Sequence, residues 1–195
     1  MKKSKVWEKD GFVMRPADRK DAEHYYEQNY NPLDQEAARL TGSKEYFSKE
    51  EVISFFHKSI EDEERYLFLL IAPDGRIIGE SVINEIDVAL RCANFRIVIY
   101  HPDGRGKGIG TWMVEKTRDF AFEELKLHRL SLDVYSFNPR ARKVYLKAGF
   151  KQEGILRDAV RDGVGYADDI LMSILENEWR QIREHANVGD MADQG

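Results

Sequence analysis

The chain has 195 residues, of which 42% are hydrophobic and 33% charged, with 5 prolines and a formal net charge of -5. This composition is that of an ordinary globular protein and argues against the disordered, fibrous and membrane classes. The acidic balance disfavours a general phosphate-backbone binder, which would carry a basic excess, and is compatible with a cationic substrate.

The location predicted from the sequence is the cytoplasm. The longest apolar run, YLFLLIA at 66–72, is far shorter than the roughly 20 residues that a membrane helix needs. The first lysines precede no apolar run, so we expect no secretory signal. The single cysteine, Cys92, excludes a disulfide within one chain and fits a reducing compartment.

The first third of the chain is predicted to contain a short strand and two helices. The strand covers 11–15, Asp18 or Asp21 begins the first helix, and a polar segment follows around NYNPLD at 29–34. Ser48 followed by Glu51 is a capping box that begins the second helix. The predicted core-facing stripe of that helix is Val52, Phe55, Phe56, Ser59 and Ile60.

The middle of the chain alternates strands with one helix. Residues 66–72 and 76–87 predict an antiparallel hairpin around a Pro-Asp-Gly turn. A strand at 93–100 leads to a helix from Gly110 to about residue 126, and then to a strand at 129–136. Because a helix separates them, the strands at 95–100 and 129–135 are predicted to be parallel within an otherwise antiparallel sheet.

The last third begins with Asn138 and Pro139, a good helix start, and Gly149 ends that helix. Two strands, at about 150–160 and 166–175, close the domain, and 177–188 is a short terminal helix with a frayed end. We therefore predict one α/β (α+β) domain over residues 1–180, with helices on both faces of a mixed sheet, and a carboxy-terminal tail over 181–195.

A glycine-rich connection, YHPDGRGKGIGTWM at 100–113, is the first functional motif. It lacks both the Walker pattern and the GxGxxG fingerprint, because the glycines that these require fall on Ile109 and Thr111. What remains is RxxGxG, formed by Arg105, Gly108 and Gly110. Backbone N–H groups before a helix suit a pyrophosphate, and a turn without a ligand is the alternative.

The second motif is NPRARKVYLKAGF at 138–150, which places Asn138, Ala141, Tyr145 and Ala148 on one helical face. Together, RxxGxG after one strand and NxxAxxxYxxxGF after the next resemble the GNAT superfamily of N-acetyltransferases, over about residues 11–175. The layout looks like the branch that contains ribosomal-protein N-terminal acetyltransferases and spermidine acetyltransferases.

The resemblance implies acetyl-CoA as co-substrate, held in a slot between the two parallel strands. Its pyrophosphate would meet the loop residues Arg105, Gly106, Lys107, Gly108, Ile109 and Gly110. A backbone N–H near Val98 or Ile99 would polarise the acetyl carbonyl. Asn138 would cap its helix or bind the pantetheine arm, and Arg142 or Lys143 would meet the 3'-phosphate. We expect no metal, because no histidine has a ligand spacing.

The resemblance also implies an acid and a base. Tyr145 matches the tyrosine that lies beside the coenzyme sulfur in many relatives. A base acting through water often lies on the strand before the glycine-loop strand, where Glu80 and Glu85 occupy opposite faces. We prefer Glu85, because it is nearer the end expected to meet the thioester.

The predicted activity is direct acetyl transfer to a primary amine, on a protein N-terminus, a polyamine or a small amine. A non-catalytic acyl-CoA-binding sensor on the same fold is the first alternative, and a nucleotide-binding protein is the second. A homodimer is expected by analogy with the family, and neither nucleic acid nor membrane is an expected partner.

Overall fold

One sheet of eight strands runs through the computed structural model, which describes residues 4–192. The strands are β1 (Trp7–Lys9), β2 (Phe12–Pro16), β3 (Tyr66–Ile71), β4 (Ile77–Asp87), β5 (Cys92–Ile99), β6 (Arg129–Tyr135), β7 (Lys151–Asp162) and β8 (Gly165–Leu175). Their spatial order is β1-β2-β3-β4-β5-β6-β8-β7. Among the strands of residues 4–192 only β5 and β6 pair in parallel, so the predicted mixed sheet is confirmed.

Helices cover both faces of this sheet, as predicted. The part of the chain that the structure describes contains α1 (Ala22–Asn29), α2 (Gln35–Thr41), α3 (Lys49–Glu61), α4 (Ile109–Glu123), α5 (Pro139–Lys147) and α6 (Glu176–Ala192). Strand alternation sends Phe68 and Leu70 into the core under α4 and α5, and Leu69 into the core under α1 and α3. None of the helices within residues 4–192 is long and apolar enough to cross a membrane.

Two helix starts follow the capping rules read from the sequence. Ser48 Oγ accepts from Glu51 N at 3.2 Å, and Glu51 Oε2 accepts from Ser48 N at 2.9 Å. Asp18 and Asp21 exchange the same pair of bonds around a short 3-10 turn, from which α1 continues. Asp18 therefore caps the 3-10 turn with its side chain, whereas Asp21, the residue before α1, makes no side-chain cap bond to that helix.

Some elements differ from the prediction. The short strand β1 was not predicted, and α2 occupies residues that follow the predicted polar segment. Phe55 is 55% exposed, because α3 buries only the narrower stripe of Val52, Phe56 and Ser59. Helix α6 runs continuously through residue 180, where the domain boundary was predicted, and through the first residues of the predicted frayed end. The end of that tail, at 193–195, lies outside the described residues.

The sheet has an opening between its two central strands. β5 and β6 pair only at Cys92↔Arg129, Ala93↔Leu130 and Asn94↔Ser131. Beyond those pairs β6 stays bonded to β8 up to Tyr135↔Asp169, and β5 stays bonded to β4 up to Gly79↔Ile99. The two halves of the sheet therefore separate after Asn94 and leave a slot between them.

Candidate active site

A cavity of about 460 Å³ fills the slot between β5 and β6, a size typical of small-molecule sites. Its wall combines β5 from Phe95 onward, the end of β6, the glycine loop, α2 and α5. Tyr145 belongs to the core on one face of the sheet, whereas Val98 and Tyr100 pack with the core on the other. One cavity thus connects the two faces of the sheet.

The free edge of β5 offers backbone donors to this slot. Tyr100 N donates to Ile78 O at 2.8 Å, which makes these two residues a hydrogen-bonded pair of the antiparallel ladder. Such pairs alternate along the strands, so the N–H of Val98 also faces β4, and the N–H groups of Ile97 and Ile99 face the slot. Of the two predicted carbonyl-polarising groups, only that of Ile99 is oriented toward the cavity.

The glycine loop ends at an open helix start. Gly106 and Gly108 have φ angles of 79° and 76°, a region that glycine adopts without a steric cost. Gly108 is the N-cap of α4, no described side chain caps that helix, and its first turn contains no acidic residue. The N–H groups of this first turn, which have no partner inside the helix, lie beside the positive end of the helix dipole.

The predicted loop residues divide into cavity wall and support. Gly106, Gly108 and Gly110 line the cavity, and so does Thr111, which was not predicted. Lys107 is exposed outside the wall, and the Ile109 side chain is 1% exposed in the core. The three glycines have no side chain to cover the backbone at the cavity wall, which agrees with an anion site built from amides.

Arg105 holds the loop in place with its side chain. Its Nε donates to Ile99 O at 3.0 Å and its Nη2 to Tyr100 O at 2.9 Å. The same guanidinium donates to Asp34 Oδ1 at 3.1 Å and to Glu36 Oε2 at 2.8 Å, at the start of α2. Arg105 therefore joins the glycine loop to the helix that covers the cavity.

Tyr145 lies at the cavity wall between aromatic rings. It is 7% exposed and packs edge-on against Phe95, with ring centroids 6.3 Å apart. Within the described part of the chain no protein group hydrogen-bonds its hydroxyl, which leaves this donor for a ligand. Burial, with the nearby Asp133 carboxylate, raises the pKa of Tyr145 well above its usual value.

Of the predicted coenzyme-binding residues on the helix of Tyr145, one lines the cavity and one does not. Asn138 lines the cavity and also caps α5, because its Oδ1 accepts from Ala141 N at 3.1 Å. Arg142 lies outside the cavity wall and donates to Gln152 Oε1 at 3.0 Å. Arg140, two residues earlier in α5, lines the cavity instead and lies 3.3 Å from Glu36.

Of the two candidate carboxylates on β4, the structure brings Glu80 to the cavity and not the preferred Glu85. Glu85 is exposed, has a φ angle of 55°, and lies where β4 and β5 lose their regular pairing, away from the cavity. Glu80 lies opposite Val98, is 7% exposed and lines the cavity. Because the strands are antiparallel, the open end of β5 meets the beginning of β4, which carries Glu80, and Glu85 lies toward the opposite end of β4.

Three tyrosines surround Glu80. Tyr25 Oη donates to Glu80 Oε2 at 2.5 Å and lies 3.1 Å from Tyr30 Oη and 3.3 Å from Tyr100 Oη. Burial raises the pKa of all three phenols, that of Tyr30 to about 12. Burial also raises the pKa of Glu80, against the hydrogen bond from Tyr25, which lowers it. No sequence spacing could have found this group, because its members come from separate segments.

The arrangement combines three chemical capacities. An open helix start suits an anion, and a slot with free N–H groups suits an extended chain with a carbonyl. A phenol and a carboxylate approach one cavity from opposite faces of the sheet. Such a site suits the transfer of an acyl group between an anionic carrier and a second substrate that loses a proton.

Comparisons with known proteins show related acetyltransferases. The chain is 31% identical over 134 residues to a spermidine N(1)-acetyltransferase of Vibrio cholerae, covering 69% of this chain and 77% of that protein. It is 28% identical over 176 residues to a spermidine N(1)-acetyltransferase of Escherichia coli, covering 90% of this chain and 91% of the other. A putative ribosomal N-acetyltransferase of Bacillus subtilis is 32% identical over 106 residues, or 54% of this chain and 57% of that one.

The fold and the family follow from two further comparisons. A crystal structure of spermidine N-acetyltransferase from Vibrio cholerae, in complex with CoA and spermine, superimposes with a TM-score of 0.75 at 27% identity and covers 88% of this chain and 99% of its own. The family described as Acetyltransferase (GNAT) domain matches residues 12–151. This match contains the slot, the glycine loop and Tyr145, and the chain therefore belongs to the GNAT acetyltransferase family.

Proposed function

We propose that this acetyltransferase transfers acetyl from acetyl-CoA to a primary amine of a polyamine, with spermidine as the leading acceptor. The observation that carries the proposal is that the glycine loop, Tyr145 and Glu80 all line one cavity that passes through the sheet. The relatives in Vibrio cholerae and Escherichia coli, both named for spermidine, support the acceptor. The predicted homodimer and cytoplasmic location stay predictions, and one solved form of the Vibrio cholerae enzyme is described as dodecameric.

The residues present fit an acyl-CoA thioester, which supplies the acetyl group. The amides of Gly108, Gly110 and Thr111 are placed to bind its pyrophosphate at the start of α4. The slot-facing N–H of Ile99 is placed to polarise the carbonyl. Asn138 would meet the pantetheine arm while it caps α5.

Tyr145 stabilises the leaving thiolate by a hydrogen bond. Even an ordinary phenol, with a pKa near 10, gives its proton to a thiolate whose thiol has a pKa near 8.5 at a cost of about 2 kcal/mol. Burial raises the pKa of Tyr145 further, which makes complete transfer still less favourable. The phenol therefore acts as a donor that keeps its proton until solvent protonates the thiolate.

Glu80 removes a proton from the acceptor amine. A lysine-like amine has a pKa of about 10.4, so its deprotonation at pH 7 costs about 4.6 kcal/mol. The raised pKa of buried Glu80 makes it a stronger base than an exposed carboxylate. Glu80 replaces Glu85 as the proposed base, because only Glu80 lines the cavity.

The activity is tested by incubating the protein with acetyl-CoA and a panel of amines, while free thiol is measured and products are identified by mass spectrometry. We expect the highest kcat/KM with spermidine, and lower values with amino-terminal peptides and simple monoamines. Tight coenzyme binding without thiol release for any amine would instead support the non-catalytic sensor.

The loop's role predicts the effect of Gly108→Ala. A left-handed φ of 76° costs an alanine about 1 to 2 kcal/mol, so the loop shifts and its amides no longer converge. We expect coenzyme affinity, measured by calorimetry, to fall about tenfold, which corresponds to about 1.4 kcal/mol. Gly163→Ala is the matched control, since Gly163 has a φ of 61°, open space around it and a position in the β7–β8 turn outside the cavity wall. Equal losses in both variants would contradict the loop's role.

A further inference from the structure

The three phenols beside Glu80 form a continuous hydrogen-bonded group that reaches the cavity. Tyr25 lies on α1, Tyr30 follows that helix, and Tyr100 follows β5. We propose that these phenols conduct the acceptor's proton from the cavity to Glu80. The inference rests on the proposed function, in which Glu80 is the base.

The oxygen positions support a path with Tyr25 at its inner end. Tyr25 is 4% exposed, is absent from the cavity wall, and makes the 2.5 Å bond to Glu80. Tyr30 and Tyr100 both line the cavity, and their hydroxyls lie 2.9 Å apart. Tyr30 and Tyr100, the two outer phenols, are therefore both within hydrogen-bond distance of Tyr25. Tyr25 in turn is bonded to the carboxylate of Glu80, so a proton accepted by either outer phenol has a connected route to it.

The number of hydrogens gives the path a direction. Each neutral phenol has one hydrogen to donate, and Tyr25 uses its own on the carboxylate. The oxygen of Tyr25 is then an acceptor for Tyr30 or Tyr100, at 3.1 Å and 3.3 Å. The last oxygen of the chain belongs to one of the two outer phenols. That oxygen keeps a lone pair for an N–H in the cavity.

The step conserves protons and charge. An ammonium N–H bond breaks and its electron pair stays on nitrogen, while the proton joins the outer phenol oxygen. Each phenol passes its own hydrogen inward, and an O–H bond forms on Glu80. Each phenol is neutral again at the end, and the amine has become a neutral nucleophile. After the product leaves, the same proton transfers in reverse return the proton from Glu80 to solvent.

Neighbouring charges keep this group in the required state. The groups that face Glu80 are Tyr25 from α1, Tyr30 from the following turn, Tyr100 and Arg96 from the β5 side, and Arg65 before β3. Burial raises the pKa of Glu80 and the two arginines act in the opposite direction, while burial keeps the phenols protonated, with the pKa of Tyr30 at about 12. The donors therefore persist through the pH range in which an alkyl amine titrates.

The test measures kcat/KM for spermidine between pH 7 and pH 10 in Tyr25→Phe and Tyr30→Phe. We expect kcat/KM of each variant to fall on the order of 100-fold at pH 7, which is the size of effect that the loss of general base catalysis produces. Because free amine becomes abundant near its pKa of about 10.4, the loss should shrink to less than about threefold at pH 10. A merely structural role would lower the rate equally at every pH, and that result, or no loss at pH 7, would overturn the path.

Two further variants separate the possible failures. Tyr26→Phe removes the neighbouring phenol of α1, which takes no part in the cluster, and is expected to match the parent protein at every pH. Normal activity of Glu80→Gln would contradict the assignment of Glu80 as the base, and with it the proposed function of this residue. If kcat/KM falls in Glu80→Gln but not in Tyr25→Phe and Tyr30→Phe, Glu80 remains the proposed base. Only the path through the phenols is then overturned. Calorimetry of coenzyme binding checks that each variant is folded.

Discussion

Glu80→Gln is expected to lower kcat/KM for spermidine at pH 7 by about 100- to 10,000-fold, the range that general base catalysis typically contributes. Glutamine has nearly the same shape as glutamate but cannot accept a proton at neutral pH. The packing around the Tyr25 hydroxyl is therefore retained while the base is lost. Steady-state rates of thiol release measure the effect.

The pH dependence gives the same residue a second signature. The base works only as a carboxylate, so kcat/KM falls when the pH drops through the pKa of Glu80. Burial raises that pKa, so the acidic limb should lie above the usual carboxylate value of 4.5 and should be absent from Glu80→Gln.

Glu85→Gln is the matched control for this variant. It removes a carboxylate from the same strand, but at an exposed position outside the cavity wall. We expect its rate and its pH profile to equal those of the parent protein. A large loss in Glu85→Gln, with none in Glu80→Gln, would contradict the assignment and restore the carboxylate preferred from the sequence.

Tyr145→Phe is expected to lower kcat by about 10- to 150-fold. A hydrogen bond to a charged group contributes about 1.5 to 3 kcal/mol, and here the charge develops on the leaving sulfur. The ring keeps its packing against Phe95, and no described protein group loses a hydrogen bond. Thermal unfolding should therefore be nearly unchanged, which separates a catalytic effect from a folding defect.

The leaving group tests the same role independently. An acetyl thioester of a more acidic thiol needs less stabilisation as it departs, so the loss caused by Tyr145→Phe should become smaller. A loss that is equal for all thioesters would contradict a bond to the developing thiolate and would favour a packing role for the ring.

Much of this site was readable from short segments of sequence. Gly108 and Gly110 at the start of α4, Asn138 at the start of α5 and the capping box at Ser48 all act through neighbours a few residues away. The parallel relation of β5 and β6 also followed, because the intervening helix demands a crossover. Local geometry depends on local residues, so spacing alone was sufficient to predict these features.

The tertiary structure decided which side chains meet. Glu80 rather than Glu85 reaches the cavity because antiparallel pairing places the beginning of β4 against the open end of β5. The guanidinium of Arg105 turns toward Asp34, and three tyrosines from distant segments converge on one carboxylate. Contacts of this kind depend on how whole elements pack, and no spacing within a single element encodes them. The sequence by itself therefore determined the glycine loop and the helix that carries Tyr145, and tertiary packing decided that Glu80 rather than Glu85 lines the cavity.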